Sequence, residues 1–116
     1  MAPTRLPSPV RIGPYTWTFS ADKKEWDKEP DKDKSDGICD GELLRIILNP
    51  EVLKRHPLHV KQIVTHELTH ACFTSAHRAL DMRNEDDAEE SFVEAFSPLL
   101  LGMLRDNPHL VEWLTS

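Results

Sequence analysis

The sequence predicts an α+β domain, with a small sheet of two or three strands packed on two main helices. Two observations give the strands. In Tyr15 to Ser20, YTWTFS, aromatic and small hydroxyl residues alternate, and in Leu43 to Leu48, LLRIIL, Leu44, Ile46 and Leu48 share one face while Leu43, Arg45 and Ile47 share the other; a period of two suits a pleated, half-buried strand. The third observation gives the helices. Apolar residues recur at three- and four-residue spacing after Pro57 and again after Asn84, the mark of a helix with one buried side. With 116 residues, 39% of them hydrophobic, the chain has material for one core and one domain.

Taken in order, residues 1–13 read as a flexible proline-rich arm and residues 14–116 as the single domain. Residues 21–36 carry five lysines and seven acids around one large apolar residue, Trp26, and read as a solvated loop or a frayed hairpin tip. Asn49-Pro50 supplies an N-cap and a first-turn proline for a short helix, and His56-Pro57 opens a longer one to about Arg78. Val60, Val64, Leu68, Ala71 and Ser75 fall on one side of it, away from His66 and His70. Asn84 with the acids of EDDAEE opens the next helix, because carboxylates favour the partly positive N-terminus. Phe92, Val93, Phe96, Leu99, Leu100, Met103 and Leu104 give it a broad apolar face, and Pro98 predicts a kink or break near Glu94. Asn107-Pro108 caps a last short helix, HLVEWL.

A formal net charge of −6 argues against nonspecific binding to nucleic acid or to an anionic membrane surface. MAPTRLPSPVRIGP has four prolines and no continuous apolar run, so it offers neither a signal-peptide core nor a membrane span. The expected setting is cytoplasmic. There Cys39 and Cys72 stay reduced, and two cysteines are too few for a disulfide framework.

Residues 64–73, VTHELTHACF, carry the chemistry: His66-Glu67-Leu68-Thr69-His70 fits H-E-x-x-H. Four residues along a helix separate the histidines by about 6 Å of rise and about 40° of rotation, so both imidazoles reach one tetrahedral zinc ion. Glu67 projects beside the metal without pointing at it, placed as the general base that takes a proton from activated water. A lone helical histidine is most simply a hydrogen-bonded surface residue. Two at this spacing with glutamate between, off the apolar stripe, predict a metal site with a catalytic base.

Zinc needs a third protein ligand. His77 shares the face, but a continuous helix carries it about 10 Å beyond His70. The extended motif H-E-x-x-H-x-x-G-x-x-H fails, since Phe73 and Ala76 stand where glycine and histidine belong. Glu90, 24 residues after His66, and Glu94 one turn on are the better candidates, one to bind the metal and the other to orient a ligand imidazole. Glu85, Asp86, Asp87 and Glu89 read as solvated first-turn acids. For stabilising an oxyanion, Tyr15, His77, Arg78 and His109 qualify by chemistry alone.

HELTHA followed by EESFVEAF resembles the gluzincin metallopeptidases, the thermolysin-like group, in which a second helix bears E-x-x-x-D. The resemblance implies a zincin-like fold, zinc as cofactor, His66, His70 and Glu90 as ligands, Glu67 as base, and Glu94 in place of the aspartate that orients the first histidine. Over residues 14–115 the order GICD, LLRIIL, HELTHA, EESFVEAF, RDNPHLVEWL is also similar to small gluzincin-like proteins often encoded by phages. That likeness implies hydrolysis of a peptide or protein substrate in a host cytoplasm, with the strand at residues 43–48 presenting an edge to the substrate.

Two other readings compete with an enzyme. A zinc-bearing interaction module would keep the same ligands and bind a partner uncut, since a short chain has little material for a specificity pocket. DKDKSDGICDGE, residues 31–42, also imitates a calcium loop, with Asp31, Asp33, Ser35 and Glu42 at ligand places. Asp36 holds its sharp-turn position and Pro30 interrupts the incoming helix, so a charged loop is the preferred reading.

Overall fold

The computed structural model describes residues 5–79 and 88–116, with the side chains of 78, 79, 88 and 89 outside that description. It is an α+β fold whose described residues form one mixed sheet of four strands. The strands are β1 (Val10–Ile12), β2 (Tyr15–Ser20), β3 (Gly37–Asp40) and β4 (Arg45–Leu48), in the spatial order β1-β2-β4-β3. β1 pairs antiparallel with β2, β2 parallel with β4, and β3 antiparallel with β4. Helix α1 (Lys23–Asp27) lies between β2 and β3; α2 (Pro57–Ala79), α3 (Ala88–Asp106) and α4 (Pro108–Thr115) follow the sheet.

The sheet is larger than the alternation predicts, for two reasons. Val10–Ile12, counted with the proline-rich arm, forms β1, and Val10 and Ile12 are wholly buried. The segment is three residues long, too short to show a period. Gly37–Asp40, set within the charged stretch, forms β3 beside β4. That makes β4 an interior strand, with Ile46, Ile47 and Leu48 all buried. The expectation that residues 43–48 present a free edge is therefore corrected: β3 ends the sheet. Leu43 is exposed, and Leu44 takes a left-handed φ of 53° in the turn before β4.

The charged stretch is also more ordered than a solvated loop. Asp22 accepts hydrogen bonds from Lys24 N and Glu25 N and starts α1, which lets Trp26 bury its ring. Glu25 accepts from Ser20 and pairs with Arg45. These contacts hold its carboxyl below the usual value, with the Ser20 hydrogen bond first and Arg45 next. Asp36 forms a two-pronged pair with Arg55 at 2.9 and 3.0 Å, and Asp40 caps the β3–β4 turn through Glu42 N and Leu43 N. Residues 31–42 thus run as a turn and then a strand, without the flanking helices of a calcium loop.

The helices after the sheet begin much as the sequence predicts. Asn49 caps a 3-10 turn over Pro50–Lys54, and the Nδ1 of His56 accepts from Leu58 N at the start of α2. Val60, Val64, Leu68, Ala71 and Ser75 are buried, joined by Cys72 and Ala76. Trp17 donates its indole N–H to Ser75 Oγ at 3.1 Å inside the core, tying β2 to α2. The helix start expected at Asn84, with Glu85, Asp86 and Asp87, lies outside the described residues. α3 continues through Pro98 without a break, and its apolar face divides: Phe92, Phe96, Leu99 and Met103 face inward, whereas Val93, Leu100 and Leu104 are exposed.

Asn107 does more than start α4. Its buried amide donates to Arg11 O and Met103 O and accepts from Arg11 N, at 2.7–2.9 Å, so one side chain joins β1 to the α3–α4 corner. Asn107→Ala strands these backbone groups, and the expected loss is about 2–3 kcal/mol of unfolding free energy in a denaturant titration. A loss under about 0.5 kcal/mol would show that the clamp carries no net stability.

Candidate metal centre

Helix α2 sets the geometry through its two faces. Residues 60, 64, 68, 71 and 75 bind it to the sheet, so the side holding His66 and His70 turns outward. Both imidazoles are exposed, and their Nε2 atoms converge to 3.2 Å with the rings edge to face. Two nitrogens bound to one tetrahedral zinc at about 2.0–2.1 Å stand about 3.3–3.4 Å apart. The observed separation is close to that bite. It also matches an N–H···N hydrogen bond, but between solvent-exposed rings such a bond competes with water and adds little. The donor set and spacing fit zinc for two of its ligands.

Glu67 differs from its neighbours in burial. It is only 5% exposed, with one carboxylate oxygen 4.0 Å from His66 Nε2. Among the described residues it makes no hydrogen bond. Burial pushes its carboxyl above the ordinary value, and the adjacent imidazoles of His66 and His70 pull the other way. Strand β3 covers it. A Cβ placed on Gly37 would lie 3.1 Å from Cγ and Cδ of Glu67 and 2.9 Å from Leu48 Cδ2, so any larger residue forces both side chains to shift, and glycine lets the strand lie this close to the carboxylate without that adjustment. In the GICD element the glycine makes room for Glu67 and the aspartate turns the chain.

Two hollows open on either side of this point, each with a volume of about 320 Å³. Both are lined by Ser35, Gly37, His66 and Glu67. The first continues past His59, Gln62 and Ile63, and the second past Cys39, His70 and Thr74. Of these, His59, Gln62, Ile63 and Thr74 have no part in the sequence-based site, and Cys39 enters it only as a reduced thiol. His59 has a sequence signal, since it lies seven residues before His66 on the same helix face. Cys39 has none, because only strand pairing brings β3 across α2. Its thiol is pushed up to about 12, by burial first and then by Glu67, Asp40 and Cys72, so it lies beside the site as a neutral group.

The expected third ligand does not join the pair. Among the described residues no further histidine, cysteine or acid combines with His66 and His70 in a group able to hold a metal. Glu90 and Glu94 are exposed on α3. At 100° per residue Glu90 lies about 160° around the helix from Phe92, whose ring meets Phe73 of α2 at 5.2 Å. His77 stacks on Phe73 at 5.7 Å, and His109 Nε2 contacts Pro9 O at 2.8 Å. Tyr15 is half-buried at the β1–β2 hairpin, packed against the core, and Arg78 has no described side chain. No family model, curated protein or solved structure matches the chain.

The burial of Glu67 has a consequence for stability in metal-free protein. A carboxyl raised above its unfolded value holds its proton more tightly when folded, so its ionisation penalises the fold at high pH; the penalty fades as pH falls through the raised folded value and is gone below the ordinary value of about 4.5. Metal-free Glu67→Gln should therefore melt above the wild type at pH 7, with the difference closing by pH 4. A thermal melt at both values checks this, and equal melting temperatures at pH 7 would mean that ionising Glu67 carries no penalty.

Proposed function

We propose that this chain is a zinc-dependent peptidase of the small gluzincin kind, in which His66, His70 and Glu90 hold the metal and Glu67 is the general base. The observation that carries the proposal is the convergence of two exposed imidazole nitrogens at 3.2 Å beside a buried carboxylate without a hydrogen-bond partner among the described residues. A surface pair of histidines needs no such carboxylate, and a structural zinc site would close around the metal rather than leave two hollows beside it. Among the described residues no helix is long and apolar enough to cross a membrane, and the proposed setting is cytoplasmic.

Zinc at this point supplies Lewis-acid activation of water and of the scissile carbonyl. Glu67 would take a proton from the attacking water and pass it to the leaving amine. The terminal strand β3 gives an extended peptide a backbone to pair with, and the two hollows lie on either side of the reacting point. Glu90 stands in the described first turns of α3 and would be the third protein ligand. Glu94 takes the role of orienting a ligand histidine.

Two measurements test the proposal. In chelator competition one zinc per chain should bind, Glu90→Ala should weaken it by more than about 100-fold, and Glu94→Gln by about 10- to 100-fold. His77→Ala should leave affinity unchanged. Glu67→Gln should keep zinc and lose cleavage of a peptide library, because an amide cannot accept the proton. If the wild type binds zinc and cleaves nothing, the chain is a zinc-bearing interaction module; if His77→Ala releases zinc while Glu90→Ala keeps it, the ligand set is wrong.

A further inference from the structure

The exposed side of α3 carries an unexplained apolar seam. Val93, Ser97, Leu100 and Leu104 follow one another at intervals of four, three and four residues, the spacing of a helix-pairing stripe, and all four are exposed. Leu101 beside them is 57% exposed. A helix of a monomer has no reason to present this spacing to water, since the inward residues Phe92, Phe96, Leu99 and Met103 already supply its core face. Near the middle of the seam Ser97 turns its hydroxyl back onto Val93 O at 2.7 Å, leaving a small, flat surface where another backbone can approach.

The charges beside the seam identify the occupant. Glu94 lies near its N-terminal end and Arg105 near its C-terminal end, on the same flank, both exposed. Among the described residues neither forms an ion pair. Eleven residues separate Val93 from Leu104, and eleven separate Glu94 from Arg105. An antiparallel pairing of two α3 helices about a two-fold axis near residues 98–99 opposes Val93 to the other copy's Leu104 and sets Glu94 about 3 Å along the axis from its Arg105, an offset that the two long side chains can span. Residues on the same flank meet across an antiparallel seam, so each copy offers the other an opposite charge at both ends. Leu100 and Leu104 also border an apolar hollow of about 120 Å³ with Leu68, Cys72 and Leu114, space for an incoming leucine side chain.

We infer that α3 is a self-association surface, on which a second copy of this chain packs antiparallel through Val93, Ser97, Leu100, Leu101 and Leu104 with Glu94–Arg105 pairs at its ends. The inference is made for the zinc-free protein, in which Glu94 is not engaged by the metal role proposed for it. Sedimentation equilibrium of the full chain over roughly 1–200 μM, with and without zinc, tests it; this range spans the affinity of a weak to moderate dimer. The expected result is a reversible dimer, made monomeric by Leu104→Glu. The exposed charges give a second test that leaves the apolar residues in place. Glu94→Arg and Arg105→Glu should each weaken the dimer about 10-fold, counting both symmetric pairs, and the double variant should restore it. A wild type that stays monomeric at 200 μM overturns the inference, as does a dimer indifferent to all of these changes.

Discussion

The close approach of strand β3 to helix α2 at Gly37 is the contact on which the site depends. It covers the Glu67 carboxylate, which would have to shift if residue 37 carried a Cβ. It also brings Ser35 and Cys39 to the same hollows as His66 and His70. Several separate contacts hold the strand there. The Asp36–Arg55 pair fixes its start, the ladder to β4 fixes its length, and the Asp40 cap fixes its end. Asp36 is held below the usual carboxylate value by the Arg55 guanidinium, so this anchor stays charged through the neutral range.

Helix α2 is the other half of that contact, and its two faces have separate tasks. The inward face is aliphatic except at Ser75, whose hydroxyl accepts the buried Trp17 N–H. A hydroxyl there leaves no buried donor unmet and fixes the rotation of the helix against β2. That rotation decides where the outward face points. His66 and His70 sit on it because five core positions point the other way, and Glu67 lies at the boundary between the faces, where a carboxylate can be buried and still open on a hollow.

Helix α3 is divided in a different way. Its inner residues pack against β1 and α2, with Leu99 close to Gly13 and Phe92 against Phe73. Its outer residues keep an apolar seam and the acids Glu90 and Glu94 in solvent. The peptidase proposal assigns those acids to the metal, whereas the self-association inference uses Glu94 and Arg105 at an interface between copies. Glu94 is common to both, so the interface is judged through Leu104 and Arg105, which have no part in the proposed metal centre, and the metal through Glu90.

Sequence alone determined the elements whose periodicity is long or whose punctuation is sharp. The 3.6-residue spacing after Pro57 fixed α2 and which of its residues face inward, because a helix of that length repeats its pattern several times. H-E-x-x-H fixed the spacing of His66 and His70, since four residues on any helix bring two side chains to one point. Tertiary structure decided what no local pattern encodes. The short strands β1 and β3 carry too few residues to show a period, and they are strands because neighbouring chain satisfies their backbone groups. The burial of Trp26 depends on Asp22 and Arg45 holding α1 to the sheet. The depth of Glu67 depends on a glycine 30 positions away, because burial is a property of what packs over a side chain and not of the segment that carries it.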